Sequence, residues 1–345
     1  MSLVSWNCQG LGSPSAIPNL KYLIRHYKPV ILFLNETLVH HNKIEEFRYF
    51  LGFDFSFFVD CVGRSGGLAF FWNSSTNCQI LDYSHNHISV QVIDPEKGPW
   101  RLRGYYGYPN GSCRRASWDM LHQLSHQSNL LWCIFGDFNN IMDASEKRGR
   151  NLGSNWLING FRQAVLDSGL SDVPIEGYPF TWFKSFGISR AVEERLDRAL
   201  ANNGWFEFFP SASLENLVAP ASDHYPILLE WVPKVRPNRA RRTFKFEKAW
   251  KLEPGFNALV TDRWNSYKSD PLLERLQSCG EDMFHWSRAN CRRLKQEIDE
   301  CRKQIELMRR SRVGESQDQL LLLRKKMNQY ILQNDGYWRQ RAKTH

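Results

Sequence analysis

The chain of 345 residues is 42% hydrophobic and 23% charged, a composition typical of globular proteins that excludes wholesale disorder. No apolar run approaches the roughly 18 residues that a membrane-spanning helix requires, and an apolar strand-like segment begins at residue 2 without a basic leader, so we expect a protein that is neither secreted nor bound to a membrane. The formal net charge of +9 is unevenly divided, because residues 1–231 hold 19 Lys and Arg against 22 Asp and Glu, whereas residues 232–345 hold the other 26 against 14.

Up to residue 231, short apolar runs rich in β-branched and aromatic residues alternate with amphipathic stretches. The runs at 30–34 and 130–135 are apolar throughout, so we expect these two strands to be covered on both faces. The run at 88–93 alternates instead, which is typical of a strand with one buried face. The predicted strands are Leu3–Asn7, Val30–Asn35, Gly67–Trp72, Ile88–Ile93, Leu102–Tyr106, Leu130–Phe135 and Tyr225–Trp231.

Helices are predicted between these strands, near residues 17–27, 115–126 and 156–168. The first has Pro18 near its start, a position that the first helical turn tolerates. Strands mixed with helices, some strands two-faced and some one-faced, predict an α/β fold. We expect a four-layer α/β sandwich, with two packed β-sheets flanked by helices, over residues 1–231.

The last third of the chain has a different pattern. Residues 232–242 contain two prolines and dense positive charge, which predicts a linker, and residues 243–345 predict a basic α-helical tail. Such a tail can bind phosphate backbones, although a merely solvated helical face is an equal alternative. A coiled-coil-like seam over 287–331, interrupted at Gly314, could close within the chain or pair with a partner or a second copy. The seam residues are Cys291, Leu294, Ile298, Cys301, Ile305, Met308, Leu320, Leu323, Met327 and Tyr330.

The eight cysteines form no CxxC pair and no cluster with zinc-finger spacing. We interpret them as free thiols in a reducing compartment, because eight in 345 residues is too sparse for a disulfide scaffold. This disfavours structural zinc but leaves open a metal held by oxygen ligands.

Several predicted strands end in, or are preceded by, polar residues, and ligand chemistry gathers at the edge of a sheet where loops leave the strands. Each segment also has a structural explanation, such as a turn for Asp137 and Asn139, a helix cap for 35–37, or a surface pair of Asp197 with Arg195 or Arg198. Together, five such segments are hard to assign to turns alone. They are Asn7–Gly10, Asn35–Thr37, Gly136–Asn140, Arg195–Arg198 and Ala221–His224.

Phosphodiester hydrolysis is a reaction that needs such a set of residues. Attack on phosphorus adds negative charge, which magnesium neutralises, and magnesium is held by hard oxygen ligands. Glu36 is the candidate metal ligand, and Asp223 could touch the metal or the water. A carboxylate such as Asp137 can position and deprotonate the attacking water. His224, charged when paired with Asp197, can steady the phosphate oxygens. The amides of Asn7 and Asn139 can orient oxygens without adding charge.

The same ordered set resembles the endonuclease/exonuclease/phosphatase superfamily, which includes apurinic/apyrimidinic endonucleases, pancreatic deoxyribonuclease, inositol polyphosphate phosphatases and neutral sphingomyelinases. The resemblance covers residues 2–231. Gly136-Asp137-Phe138-Asn139 is its most specific motif, and Ser222-Asp223-His224 is nearly as specific. The further motifs are Trp6-Asn7-Cys8-Gln9-Gly10, Leu34-Asn35-Glu36-Thr37, Gly66-Gly67-Leu68-Ala69 and Tyr106-Gly107-Tyr108-Pro109-Asn110.

The resemblance implies a role for each matched residue. Glu36 would bind Mg²⁺, with Mn²⁺ as a possible substitute, and Asp223 would assist the metal or the water. Asp137 would activate the water, and His224 would contact the phosphate. Tyr106 is the expected phosphate tyrosine, with Tyr108 as the alternative. The remaining matched residues are Asn7 and Asn139, which would fix oxygens around the phosphate, and Asp197, which would hold the histidine.

One position departs from the family pattern. Many members carry a second metal-binding acid two residues after the first-motif asparagine, where this chain has Gln9. Metal binding would then be weaker, or would rest on Glu36 and Asp223.

Within the superfamily, the opening Met1–Gly12 is similar to the endonuclease domain of plant LINE-type retrotransposons, and Tyr337–Lys343 resembles the segment just before their reverse transcriptase. The tail would then be the start of that connector, and no Tyr-x-Asp-Asp polymerase motif occurs in the chain. This resemblance implies a retroelement fragment that acts on double-stranded DNA in the nucleus, with the cytoplasm as the alternative.

The sequence therefore favours a magnesium-dependent endonuclease that nicks DNA. The first alternative is a catalytically weakened nucleic-acid-binding remnant, to which Gln9 points. The second is a phosphatase or phosphodiesterase of the same superfamily that acts on a small phosphoester or a lipid. The third is a protein-interaction hairpin that carries the sandwich as a passenger.

Overall fold

The computed structural model shows two compact units, one formed by Met1–Lys234 with Glu306–Leu322 and the other by Val235–Ile305 with Leu323–His345. Each unit is described by itself. The residues that the structure describes are 1–63, 66–127, 130–149, 154–184, 191–232, 250, 255–310 and 317–342.

The first sheet of the first unit has seven strands in the order β11-β15-β16-β1-β2-β4-β3. The strands are β1 (Ser2–Asn7), β2 (Ile31–Asn35), β3 (Phe55–Val59), β4 (Leu68–Trp72), β11 (Ile175–Glu176), β15 (Ser213–Asn216) and β16 (Ile227–Glu230). β1 runs parallel to β2 and antiparallel to β16. The first and last strands of the sandwich are therefore neighbours.

The second sheet has six strands in the order β10-β14-β8-β7-β6-β5. The strands are β5 (Asn77–Tyr83), β6 (His87–Asp94), β7 (Gly98–Tyr106), β8 (Trp132–Asp137), β10 (Leu170–Asp172) and β14 (Asp197–Asn202). β7 runs parallel to β8, and β14 runs antiparallel to it. A small third sheet joins β12 (Trp182–Lys184), β13 (Val192–Glu194) and β9 (Lys147–Arg148).

Two pairs of helices cover the outer faces of the sheets. α1 (Ala16–Tyr27) and α2 (His41–Leu51) lie on the first sheet, and α3 (Arg114–His126) and α4 (Asn155–Asp167) lie on the second. A short helix, α5 (Asn203–Phe208), follows β14.

The apolar core lies between the sheets, where Phe33 of β2 meets Phe135 of β8 edge to face at 5.4 Å. Leu32 and Leu34, on the opposite face of β2, pack under α1 and α2. The continuous apolar run of β2 is thus buried on both sides, as predicted, and each such side chain stabilises the fold by about 1.5–3 kcal/mol. Helices, sheet, sheet and helices stack in that order, which confirms the four-layer α/β sandwich.

The three predicted helices and seven predicted strands are all present, with ends that differ by at most four residues. Several elements were not predicted, among them α2 and the strand β14 that carries Asp197. β14 pairs in register with β8, so its short apolar run is buried by a distant neighbour that periodicity does not reveal.

The second unit contains α6 (Phe256–Ser266), most of α7 (Leu272–Arg310) and most of α8 (Gln317–Ala342). The seam residues Leu294, Ile298, Cys301 and Ile305 of α7 are buried. Burial raises the pKa of Cys301, and Lys326 on α8 opposes this rise, so these parts of the two helices lie side by side.

The predicted linker at 232–242 lies outside the described residues except for Val232, as does Gly314. The seven cysteines whose side chains the structure describes are all free. Among the described helices, none combines the length and apolar character that crossing a membrane requires.

Candidate active site

The polar strand ends singled out in the sequence meet at one edge of the sandwich. β1 and β2 are parallel and end there, and so do the parallel strands β7 and β8 of the other sheet. β14 and β16 are antiparallel to β8 and β1, so their first residues lie at the same edge. The chain therefore brings its distant polar segments together through strand direction alone.

Asp137 lies at the centre of this edge, fully buried at the end of β8. Asn7 Nδ2, from the other sheet, donates a hydrogen bond to Asp137 Oδ2 at 3.0 Å. Asn139 donates twice, from its backbone N to Oδ1 at 2.8 Å and from Nδ2 to Oδ2 at 3.2 Å. The predicted turn at 137–139 is thus real, and the same bonds orient the carboxylate.

The electrostatic surroundings of Asp137 oppose its ionisation. Burial raises the pKa of Asp137 to about 7, and the nearby Asp197 adds to the rise, while His224 and the amides of Asn7 and Asn139 lower it. The amides and the histidine thus only partly compensate the loss of water. A carboxyl group with a pKa near neutrality is suited to accept a proton.

Gly136 is the residue that lets β8 approach β7 closely before Asp137. Its φ is +135°, and a Cβ there would come within 2.1 Å of the Tyr105 carbonyl oxygen. Substitution would therefore push this end of β8 away from β7.

His224 is 5% exposed and lies between two carboxylates. Its Nδ1 is 2.8 Å from Asp197 Oδ2, and its Nε2 is 3.8 Å from Asp137 Oδ2. Burial alone would lower the pKa of His224, but Asp197 and Asp137 outweigh burial and raise this pKa to about 10. The imidazole is therefore a cation at neutral pH, with Nδ1–H donating to Asp197 and Nε2–H directed toward Asp137.

The alternative surface pairing of Asp197 with Arg195 or Arg198 is wrong. Both arginines bind Glu146 and Asp172 instead. The backbone of Asp197 is held by Thr181, since the Asp197 N–H donates to Thr181 Oγ1 at 2.8 Å.

Glu36 lies at the second end of the edge, where the Tyr106 hydroxyl donates a hydrogen bond to its Oε1. Burial, and then the charges of Glu36 and Asp137, raise the pKa of Tyr106 well above its usual range. Tyr106 therefore lies between the two acids, whereas the backbone N–H of Tyr108 donates to Ser117 Oγ. The helix-cap alternative for residues 35–37 is wrong, because α2 begins only at His41.

Asp223 completes the acidic set. Its Oδ2 accepts a hydrogen bond from Trp182 Nε1 at 3.1 Å, while its Oδ1 is buried with no partner among the described residues. The Ser222 hydroxyl donates to the Asn7 carbonyl oxygen at 2.9 Å and accepts from the His224 backbone N–H at 3.0 Å. These bonds fix the Ser-Asp-His turn against the end of β1.

The donor atoms at this edge fit a hard divalent cation. Within the described residues, ligand-type atoms of Asp137, Asp197 and His224 lie within 4.8 Å of one another, but the protonated His224 has no lone pair for a metal, which leaves the two carboxylates of this group as donors. The predicted ligands Glu36 and Asp223 lie outside that group. The unpartnered Oδ1 of Asp223 and the carboxylate of Glu36 are oxygen donors of the kind that Mg²⁺ or Mn²⁺ prefers.

Two positioning residues were not predicted from the sequence. Trp182 holds Asp223 through its indole N–H, and its ring centroid lies 6.4 Å from that of His224. Thr181 accepts bonds from the backbone N–H groups of Leu196 and Asp197. Neither residue stands next to a strand-end motif in the sequence, so no local signal marks it.

A model of the Endonuclease/Exonuclease/phosphatase family matches residues 4–224. A search of curated proteins found no significant match.

Among solved structures, an AP endonuclease from Archaeoglobus fulgidus shares 15% identity with a TM-score of 0.52, covering 67% of this chain and 99% of its own. The endonuclease domain of TRAS1, a telomere-specific non-LTR retrotransposon, shares 13% identity with a TM-score of 0.50, covering 68% of this chain and 99% of its own. A 3′ phosphatase from Neisseria, bound to a product DNA hairpin, shares 17% identity with a TM-score of 0.50 and covers 67% and 99%. At these identities the likeness is one of fold.

Proposed function

Because the chain belongs to the endonuclease/exonuclease/phosphatase family of metal-dependent phosphoester hydrolases, we propose that it is a magnesium-dependent endonuclease that nicks double-stranded DNA. The observation that carries this proposal is the buried Asp137 next to the His224–Asp197 pair. His224 Nε2 lies 3.8 Å from Asp137 Oδ2, and His224 Nδ1 lies 2.8 Å from Asp197 Oδ2. One acceptor and one cationic donor at adjacent positions are what hydrolysis at phosphorus needs.

Glu36 and Asp223 would hold the metal, Mg²⁺ or in its place Mn²⁺. Neutralisation of the charge that builds up on the phosphoryl oxygens is the chemistry that the bound ion supplies. Tyr106 supports Glu36 through its hydroxyl hydrogen bond and would lie beside the phosphate.

The proton acceptor in the proposed reaction is Asp137. It takes a proton from a water molecule whose oxygen forms the new bond to phosphorus, while the bond from phosphorus to the leaving ester oxygen breaks and that oxygen takes a proton from a solvent water molecule. Asn7 and Asn139 keep the accepting carboxylate in place. Such general-base catalysis contributes about 10²–10⁴-fold in rate.

The cationic donor is His224. Its Nε2–H would donate to a phosphate oxygen, which grows more negative in the transition state. Asp197 holds the ring and keeps it charged, since its carboxylate is the largest influence raising the pKa of His224.

DNA is the proposed substrate for two reasons. Residues 232–345 carry 26 basic and 14 acidic residues, a surplus that attracts phosphate backbones. The similar structures come from proteins described as endonucleases or as a phosphatase bound to DNA. We further infer a retrotransposon origin, with residues 243–345 as a connector, from the resemblance of Tyr337–Lys343, and hence a nuclear site of action.

The test is a plasmid assay. We expect wild-type protein to convert supercoiled plasmid to the nicked form with Mg²⁺ or Mn²⁺ and to stop when a chelator is added. Asp137→Ala should lower the rate by about 10²–10⁴-fold, whereas the matched control Asp119→Ala, which changes an exposed acid on α3, should not. Nicking that survives Asp137→Ala would contradict the proposed site, and cleavage of a phosphoinositide or sphingomyelin without nicking would favour the lipid alternative.

A second candidate is a weakened, nucleic-acid-binding remnant. Gln9 favours it, because this exposed amide stands where many family members have an acid. Salt-dependent binding of DNA by a protein that never cuts with any divalent metal would support this candidate over the first.

A further inference from the structure

Arg114, the first residue of α3, has an incomplete set of hydrogen bonds. Its Nη2 donates to the Pro109 carbonyl oxygen at 3.2 Å. Its Nε and Nη1 are buried, have no hydrogen-bond partner among the described residues, and no carboxylate there forms an ion pair with this guanidinium. The side chain is thus held in place by one bond, with two donors left over.

The guanidinium lies at the rim of the catalytic edge. Pro109 comes two residues after Gly107, whose backbone N–H donates to the Asp137 carbonyl oxygen at 2.7 Å and whose own carbonyl oxygen accepts from Asn139 Nδ2 at 2.9 Å. Burial lowers the pKa of Arg114, and the nearby carboxylates of Asp137 and Glu194 oppose that fall. Arg114 therefore carries its positive charge toward the reaction centre.

Glu194 forms its ion pair with a residue other than Arg114. Its Oε1 lies 2.6 Å from Lys147 Nζ in an ion pair between β13 and β9. The acid is already neutralised by a partner of its own, so the positive charge of Arg114 is left for another anion.

Two other buried arginines, Arg195 and Arg198, each have an acid as a charge partner, although Nε and Nη2 of Arg195 and Nε of Arg198 also lack a hydrogen-bond partner among the described residues. Arg198 lies 2.7 Å from Glu146, and Arg195 lies 2.7 Å from Asp172. A buried charged donor without a partner is costly. Arg114 is therefore a group whose partner is an anion supplied from outside the chain.

We propose that Arg114 forms a phosphate-binding subsite that takes a phosphodiester group of the nucleic-acid backbone beside the reaction centre. The two unpartnered donors, Nε and Nη1, lie on different edges of the planar guanidinium. The N–H of Nη2 that Pro109 leaves free completes a two-pronged donor with one of them, and such a fork binds two phosphate oxygens with a geometry that lysine cannot reproduce. The subsite rests on the proposed function, because that function supplies the nucleic acid.

Binding to a fluorescent DNA duplex tests the subsite independently of cutting. The full chain in the Asp137→Ala background, with Mg²⁺, is titrated at several salt concentrations. One phosphate contact contributes about 0.9 to the slope of log affinity against log salt, so adding Arg114→Gln should reduce the slope by about that amount. The matched control Arg115→Gln, which changes the exposed neighbour, should leave the slope unchanged.

Nicking by the otherwise wild-type chain gives the second readout. We expect Arg114→Gln to raise KM and to lower kcat/KM by about tenfold or more, the lower end of the loss for a charged hydrogen bond. Arg114→Lys, which keeps the charge but not the fork, should fall between Gln and wild type and provides the comparison if Arg114→Gln does not fold.

The two proposals fail in different ways. A wild-type chain that binds DNA and never nicks it would count against the endonuclease, while the salt slopes would still report on Arg114. Equal slopes and equal kcat/KM for the Arg114 and Arg115 variants, or no binding of the duplex at all, would overturn the subsite.

Discussion

Two buried charged clusters flank β14, one on each face, because successive residues of a strand point to opposite sides. Asp197 faces the catalytic cluster with Asp137 and His224. Arg198, the next residue, faces a second cluster with Arg195, Glu146 and Asp172.

The two clusters differ in charge balance. The second cluster pairs two arginines with two acids. Burial works to raise the pKa of Glu146, but Arg198 and its other partners bring this pKa below the usual range, while burial still raises the pKa of Asp172. In the cluster of Asp137 one imidazolium faces several acids, and burial raises the pKa of Asp137 to about 7. The comparison teaches that the charges of the second, balanced cluster are matched within the chain, whereas the first, unbalanced cluster keeps an excess of acid that supports the roles in cation binding and proton transfer proposed above.

The largest effect should come from breaking the balanced cluster. Arg198→Met would leave Glu146 and Asp172 with one arginine between them, and removing one partner of a buried pair costs about 3–5 kcal/mol. Urea unfolding of the metal-free protein measures the loss.

The control for Arg198→Met is Arg162→Met, which removes an exposed pair with Asp143 at 3.2 Å and should cost less than about 1 kcal/mol. Equal losses for the two variants would show that the buried cluster has no special role in stability.

Asp197→Asn probes the neighbouring residue and should have the opposite profile. The loss of its charge lowers the pKa of His224, so we expect the nicking rate to fall by about 10²-fold, the scale of one electrostatic contact in the transition state. Stability should fall by less than in Arg198→Met, because the amide keeps the size of the carboxylate and one hydrogen bond and because His224 can release its proton. The check is the rate together with the melting temperature; a rate near that of wild type would contradict the assigned role.

The unbalanced cluster should also give the metal-free protein a characteristic pH dependence. The pKa of His224 is raised to about 10 from 6.5, so its stabilising contribution is complete below about pH 6.5 and is lost as the pH rises toward 10. The pKa of Asp137 is raised from 3.8 to about 7, so the folded state holds this proton too and loses stability between about pH 4 and 7.

His224 therefore predicts a melting temperature, measured with chelator, that falls as the pH rises from 7 to 9, whereas Asp137 contributes a fall below about pH 7. In His224→Gln that part of the fall should disappear. A melting temperature that rises over this interval would contradict the protonated state of His224.

Gln9→Asp should give the smallest effect, and it increases the difference in charge balance between the two clusters. It adds a further acid to the cluster that already lacks positive charge, so we expect the Mg²⁺ concentration for half-maximal nicking to fall by about tenfold, or about 1.4 kcal/mol. Gln9→Asn is the matched control and should leave that concentration unchanged. No change in Gln9→Asp would show that position 9 does not reach the metal.

Much of the fold and part of the site could be predicted from the sequence, for a physical reason. Strands that are apolar on both faces, such as β2 and β8, can be recognised as buried from their own sequence. Because each is parallel to a neighbour, the two strands of each pair end at the same edge of their sheet. The pairing of His224 with Asp197 could be predicted. The contacts of Thr181 with Asp197, of Trp182 with Asp223 and of Arg114 with Pro109 could not, since they are fixed by packing between segments that carry no periodic pattern.

The hydrogen bond from Ser222 to Asn7 spans 215 positions of the chain. A chain that is still being synthesised lacks both the imidazole at position 224 and β16, which pairs with β1. The proposed hydrolysis therefore requires the two ends of the domain to be joined, and activity would report that this closure has taken place.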